Sequence, residues 1–416
     1  MSPGATPPLA APRGRDLPRF LSAFRYRNYR VLWTGAFLSS VGTWTQDVAL
    51  AWLIHTRFGD PRALGLRAFA AEAPLLAFML VGGAVADRVD RRRILLTSQV
   101  FQMSFAATLG ILYALGRLGL VPILVLAFAT GLAQSQSAPT YQAVLTTVVP
   151  SQFIPNAVAL NSLQFNLSRA IGPVVAGILL AHGGTGVCFA VNAVSFLAII
   201  AALWRIEIPS PGAAARESLG ESLKAGLRHV RSSPVLGVLT AMGFAGSFLA
   251  YPLITYLPVI AGTVLRTGPE GYSLLLSSFG VGAIAGAVGT AQRGSVPGRG
   301  RTLLVSLMTY GACAVGAALS GRQALSMALL FLAGWSLVSA FSILNSLVQE
   351  NAPDALRGRV VSIYGLAFRG GMPLGSLTAG FLVRGFGVSA VIGALAGLLA
   401  VLAAAVYWRV ARVRSL

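Results

Sequence analysis

The chain has 416 residues, 55% of them apolar and only 11% charged, with a net charge of +20 and a mean hydropathy of +0.73. So little charge over so many residues would leave a soluble domain short of polar surface, which excludes an ordinary water-soluble enzyme and points to an integral membrane protein. The basic excess sits in short connectors between apolar runs instead of on one groove-sized face, which argues against a nucleic-acid partner.

Residues 1–28 are rich in Pro and Arg and have no apolar core, so they read as a cytoplasmic N-terminal tail and not as a cleaved signal peptide. From Tyr29 onward, apolar runs recur at about the 20-residue length that a ~30 Å hydrocarbon slab demands. Their centres lie near Ser40, Leu75, Ala106, Phe128, Ile171, Val194, Phe244, Gly282, Gly311, Ser336, Gly371 and Leu398. The prediction is an all-α membrane protein with about twelve transmembrane helices.

The first span carries Trp44, Gln46 and Asp47, and the second, over residues 64–86, carries Glu72. Between the second span and the third, over residues 94–115, the run GAVADRVDRRR at 83–93 packs six charges into a short hairpin. The fourth span holds Gln134. The fifth holds Asn161, Gln164, Asn166 and Arg169, followed by the small residues and proline Gly172, Pro173 and Gly177, which favour close helix approach and a bend. The longest polar interruption, 205–233, starts with a Pro-Ser-Pro-Gly turn. It continues with Leu219, Leu223, Leu227 and Val230 at helical spacing, interleaved with charges, which reads as a cytoplasmic linker with an amphipathic helix on the membrane face. The second half carries glycine-rich stretches at 280–289 and 370–380, with Asn345, Tyr364 and Arg369 among them. Residues 409–416 read as a cytoplasmic C-terminal tail.

An internal repeat divides the chain. Residues 150–180 can be laid on 353–383 at a constant offset, matching Pro150 with Pro353, Gly172 with Gly375, Gly177 with Gly380 and Leu179 with Leu382. Two pseudo-symmetric six-helix bundles follow, over residues 29–204 and 234–408. With an even number of spans and the N-terminus inside, the outer segments hold Arg57, Arg62, Arg67, Arg117, Arg266, Arg322 and Arg384. Arg169 and Arg369 fall within spans, and the remaining 23 of the 32 basic residues lie inside. That bias places both termini in the cytoplasm.

No nucleophile stands with a base, no glycine-rich loop could cradle phosphate, and Cys188, Cys313, His55, His182 and His229 have no metal-ligand spacing. The expectation is no enzyme activity, no cofactor and no metal. Asp47, Glu72, Arg169 and Arg369 fall at membrane depth, where a charge costs at least ~2.5 kcal/mol unless paired or wetted. They should face a central cavity. Asp47 or Glu72 is the candidate proton carrier, and a static ion pair is the alternative. Trp44, Gln46, Gln134, Asn161, Gln164, Asn166, Asn345 and Tyr364 are candidate lining residues for an apolar cavity with a few polar anchors.

The hairpin resembles the cytoplasmic signature between the second and third helices of the major facilitator superfamily, with Gly83, Asp87, Arg88, Arg91, Arg92 and Leu95 in matching places. It departs at Asp90, where the family often has Gly. FRYRNYRVLW near the start and ALNSLQFNLSRAIGP at 159–173 are similar to the secretion-effector branch, which includes enterobactin and macrolide exporters. The small-residue run of the fifth helix is similar in part to an antiporter signature, with Ala159, Ser168 and Ala176 where the family has Gly. An arginine that many proton-coupled relatives carry in the fourth helix would fall at Ala127.

The resemblance implies an inner-membrane, monomeric secondary exporter that works by alternating access, moving a small amphipathic molecule (a drug, siderophore or metabolite) in exchange for protons. A lysophospholipid flippase and a non-transporting sensor on the same helices are the rival readings. It further implies that Asp87 meets the start of the eleventh helix when the inner gate is shut, biasing one state by ~1 to 2 kcal/mol. Asp87→Asn is therefore expected to keep the fold and lower transport in reconstituted vesicles. Unchanged transport would remove this role.

Overall fold

A computed structural model describes residues 18–86, 90–208, 219–294 and 298–416. Among these residues the chain is helical, with no strand. Its helices are α1 (Arg27–Phe58), α2 (Pro61–Ala86), α3 (Arg91–Ala114), α4 (Leu120–Thr147), α5 (Ile154–Arg205), α6 (Leu219–Ser232) and α7 (Pro234–Thr255). There follow α8 (Pro269–Arg293), α9 (Arg299–Leu319), α10 (Gln323–Asn351), α11 (Arg357–Phe386) and α12 (Val388–Arg409). Each span centre expected from the sequence falls inside one of these helices, with Ile171 and Val194 both in α5.

Among the described residues, eight helical stretches are long and apolar enough to cross a membrane. The other long helices, α1, α2 and α11, are the ones that carry Asp47, Arg67 with Glu72, and Arg369. At ~1.5 Å per residue, the 52 residues of α5 would reach about 78 Å, more than twice a ~30 Å slab. Gly184 resolves this. Its φ of 74° is a left-handed value that only glycine adopts without strain, and it folds α5 into two arms. The linker segment does form a helix: in α6, Val230 is buried and Lys224, Arg228 and Arg231 are exposed, and Leu227 is exposed with them. Gly226 of α6 seats against the Arg359 backbone at the start of α11.

Packing repeats in the two halves. In the first, α1 and α3 lie on α5 and α2 lies on α4. In the second, α7 lies on α11, α9 on α12 and α8 on α10. The repeat read from sequence has a structural counterpart. Pro150 and Pro353, at φ/ψ of −60/152° and −56/142°, each open a single tight turn that leads into a long helix. Each turn is closed by the same bond, Phe153 N–H to Pro150 C=O and Leu356 N–H to Pro353 C=O, both 2.9 Å. The paired glycines also match. Gly172 meets α1 at Trp44 and Val41, and Gly375 meets α7 at the Phe248 backbone.

The halves touch each other through α2 on α11 and α5 on α8. Their apolar cores merge at one end only. The larger core takes Val48, Leu53, Ile54, Ala63, Leu64, Leu109, Ile123 and Phe189 from the first half, all near the end marked by Gly59 and Gly184, and joins them to the core of the second half. A separate core at the opposite end of the first half gathers Tyr29, Leu32, Leu95, Leu145, Phe196 and Leu203.

Close helix contact at Gly172 sets a test. Any side chain there would run into Trp44 and stand 3.2 Å from the Val41 carbonyl, whereas Gly385 has open space. Gly172→Leu should cost about 1 to 3 kcal/mol by overpacking and lower the apparent unfolding temperature in detergent, with Gly385→Leu unchanged. Equal melting of the two variants would contradict the packing.

Candidate functional site

The seams between the halves are where the intramembrane charges collect. On α1, Thr45 Oγ1 donates to Gly172 C=O at 3.2 Å, which fixes that face of α1 against α5. Asp47, two residues on, therefore points about 200° away from α5. It forms an ion pair with Arg67 of α2. Arg67, counted with the outer connectors on sequence grounds, lies within α2, because the helix begins at Pro61 and takes in the Arg67 position.

On the α2–α11 seam, a Cβ added to Gly65 would stand 2.7 Å from Ser376 C=O and 3.1 Å from Leu377 Cα, so the backbones nearly touch. Seven residues along α2 from Gly65 is Glu72, and seven residues back along α11 from Ser376 is Arg369. Seven residues is close to two full turns, and the helices run in opposite directions. Glu72 and Arg369 thus come to the same seam about 10 Å deeper, one from each half. Glu72 lies within electrostatic range of Arg369, Arg67 and Asp47.

The α5–α8 seam repeats the arrangement with small residues. Gly177 meets Ser273, and seven residues further in Ala170 meets Gly280, 3.1 Å from its Cα to an added Cβ. Beside them, the Arg169 guanidinium lies 5.6 Å from the Trp44 ring and 5.3 Å from the Phe279 ring. Pro173 and Pro373, four residues beyond Arg169 and Arg369, lack the N–H that would bond those two arginines' carbonyls. Tyr251 of α7 is within electrostatic range of Arg169, Glu72, Asp47 and Arg369.

Above the charges, the Gly59 end is shut. Trp52 of α1 stacks on Tyr272 of α8 with ring centroids 6.1 Å apart, and His55 abuts Gly262. Tyr256 Oη, which donates to Ser376 C=O at 2.8 Å within the second half, lies against Gly65 of α2, and an added Cβ at Gly380 would stand 3.2 Å from Arg62 Cα. In the first turn of α2, Arg62 binds Asp60 of the preceding connector at 2.6 Å and, by that hydrogen bond, holds the Asp60 carboxyl below the usual carboxylate range.

The other expected residues are dispersed. Gln46 accepts a 2.9 Å bond from buried Asn192 of the second α5 arm, and Gln164 donates 3.0 Å to Ser40, so both tie helices of the first half together. Asn166 bonds its own helix at Ser162 C=O. Tyr364 is buried against Gly243 and stacks on Phe368. Gln134 and Asn345 are exposed, while Asn161 is half-buried. In the hairpin, Asp87 and Arg88 lie outside the described residues, and Gly83 falls in the last turns of α2. Asp90, the departure from the family pattern, caps α3 by accepting the Arg92 N–H at 2.8 Å. Arg92 donates to Trp204 C=O and lies over that ring, and Arg91 opens α3.

Two participants were missed from sequence. Arg67 was legible as a charge inside a helix that starts with Pro, and Phe279 carries no polar signal at all.

Comparison with known proteins gives the family and the fold. The profile of the transmembrane secretion effector family matches residues 19–416. The multidrug efflux pump Tap of Mycolicibacterium fortuitum is 28% identical over 371 residues, covering 86% of this chain and 90% of that protein. The enterobactin exporter EntS of Shigella flexneri is 26% identical over 81% of this chain and 80% of its own length. Among solved structures, an inward-facing bacterial homolog of the human lysosomal transporter Spinster superposes with a TM-score of 0.73 at 15% identity, covering 96% of this chain and 98% of that one. These relatives are transporters, not enzymes. The chain is a multi-pass membrane transporter that belongs to the transmembrane secretion effector family within the major facilitator superfamily.

Proposed function

We propose that this protein is a proton-coupled antiporter that exports a small amphipathic molecule by alternating access. Twelve crossings supply the frame: the eight apolar stretches, the second arm of α5, and α1, α2 and α11, whose charges face inward. They group as bundles at 29–204 and 234–408, joined by the 205–233 linker and flanked by cytoplasmic tails at 1–28 and 409–416. The arginine bias supports an inner-membrane orientation with the Gly59 end outside. In that orientation, the shut end is the outer gate. The working unit is taken as a monomer in the lipid bilayer, with protons and the cargo as its partners.

The observation that carries this reading is the placement of Glu72 and Arg369 on opposite sides of one seam. Coupling needs a carboxyl whose counter-charge moves. A carboxylate parted from its cation takes up a proton more readily, as a general rule. Asp47 and Arg67 both belong to the first half and stay together when the halves rock, whereas Glu72 and Arg369 separate. Glu72 is thus the stronger proton carrier, with Asp47–Arg67 setting the field around it. The activities that the relatives' names give, multidrug efflux and enterobactin export, support outward movement.

In proteoliposomes with an imposed pH gradient, Glu72→Gln should abolish proton-driven movement of a multidrug dye and leave downhill exchange. Asp47→Asn should slow it while keeping the response to pH. If both variants still respond to the gradient like the parent, Glu72 and Asp47 do not couple protons.

A further inference from the structure

The five ionisable side chains at the seams do not balance. Asp47 pairs with Arg67, and Glu72 faces Arg369, so Arg169 is left without an acid. None of the described ion pairs includes it, and its Nε is buried with no hydrogen-bond partner. The titratable group that faces it is Tyr251, a neutral phenol. Two rings hold it instead, Trp44 from the first half and Phe279 from the second, which stabilise a cation without neutralising it.

A guanidinium stays protonated in proteins, so Arg169 cannot itself release a coupling proton. Its charge therefore persists whatever the protonation of Glu72 or Asp47. An unneutralised cation at membrane depth is costly to keep, and its remaining hydrogen-bonding capacity suits an oxygen acid. The surroundings specify the rest of such a ligand. Phe165 is exposed and meets Trp44 edge-on with centroids 6.2 Å apart, extending an apolar, aromatic surface away from the guanidinium.

We infer that Arg169 anchors an anion-binding subsite, and that the cargo is an amphipathic organic carboxylate. Its acid group meets the guanidinium while its aromatic body lies on Trp44, Phe165 and Phe279. This deepens the export reading and rests on it for the word cargo. Because Phe279 comes from α8 and Trp44 and Arg169 from α1 and α5, a molecule bound there touches both halves.

The test uses the full-length protein in lipid nanodiscs with three probes of matched shape: 1-naphthylacetate, its neutral amide 1-naphthylacetamide, and the cation 1-naphthylmethylammonium. Ligand-induced thermal stabilisation reads the binding. The carboxylate should act at concentrations about tenfold or more below the amide, since a hydrogen bond to a charged group is worth that much, and the cation should have no effect. Arg169→Gln should bring the carboxylate down to the amide, and Arg169→Lys should keep part of the difference. Equal binding of carboxylate and amide by the parent protein overturns the proposal and needs no variant that folds. So does an Arg169→Gln protein that keeps the full preference. Failure of export looks different. If parent vesicles move none of the probes under a pH gradient but the carboxylate preference holds, the export reading falls and the anion subsite stands. If vesicles export a dye but the preference is absent, the subsite falls and export stands.

Discussion

A charge at membrane depth has to be met by protein, and that constraint orders this molecule. Asp47, Arg67, Glu72, Arg169 and Arg369 cannot be left to hydrocarbon, so the helices that carry them, α1, α2, α5 and α11, must turn those faces toward one another. The result is that Glu72, Arg169 and Arg369 collect where the two halves meet, with the Asp47–Arg67 pair of the first half beside them. Helices α9 and α12 pack within the second half and make none of the main contacts between the halves.

Small residues make the meeting possible. Gly65, Gly177 and Gly280 bring backbones of opposite halves together, and a spacing of seven residues then sets the next pair two turns deeper on the same seam. On one seam that second pair is Glu72 and Arg369. On the other it is Ala170 and Gly280, with Arg169 beside them. A fold built from two similar bundles thus has two similar seams with different side chains, and on the reading proposed above one exchanges a proton for a counter-charge while the other holds a ligand. Both lie below an end where Trp52, Tyr272, His55 and Tyr256 close the halves together.

Much of this was legible in the sequence, because bilayer thickness limits helix length and a repeat limits topology. Pro150 and Pro353 read as equivalent positions, and they open equivalent turns. The amphipathic spacing from Leu219 to Val230 read as a helix, and it is one. Side-chain partners were less legible. Gln46 and Gln164 carry the polarity of cavity residues, yet they bond to Asn192 and Ser40 inside the first half, since an amide satisfies itself with whichever neighbour lies within 3 Å. Arg67 was assigned to a connector because the spacing of apolar residues marks the middle of a helix better than its first turns. Phe279 offers no sequence signal, as a ring beside a cation looks like any other apolar residue.

Transport as proposed requires the two halves to move against each other about the charged seams, with protonation at Glu72 releasing Arg369. The most direct measurement is the distance between spin labels on opposite halves, read by pulsed electron resonance in proteoliposomes. One pair, Arg57→Cys with Glu270→Cys, reports the Gly59 end, and the other, Arg93→Cys with Arg301→Cys, reports the opposite end. All four sites are exposed, while the native Cys188 and Cys313 are buried. Acid pH, or Glu72→Gln at neutral pH, should lengthen the first distance and shorten the second together. A single unchanged distance at both ends, under all these conditions, would contradict the account.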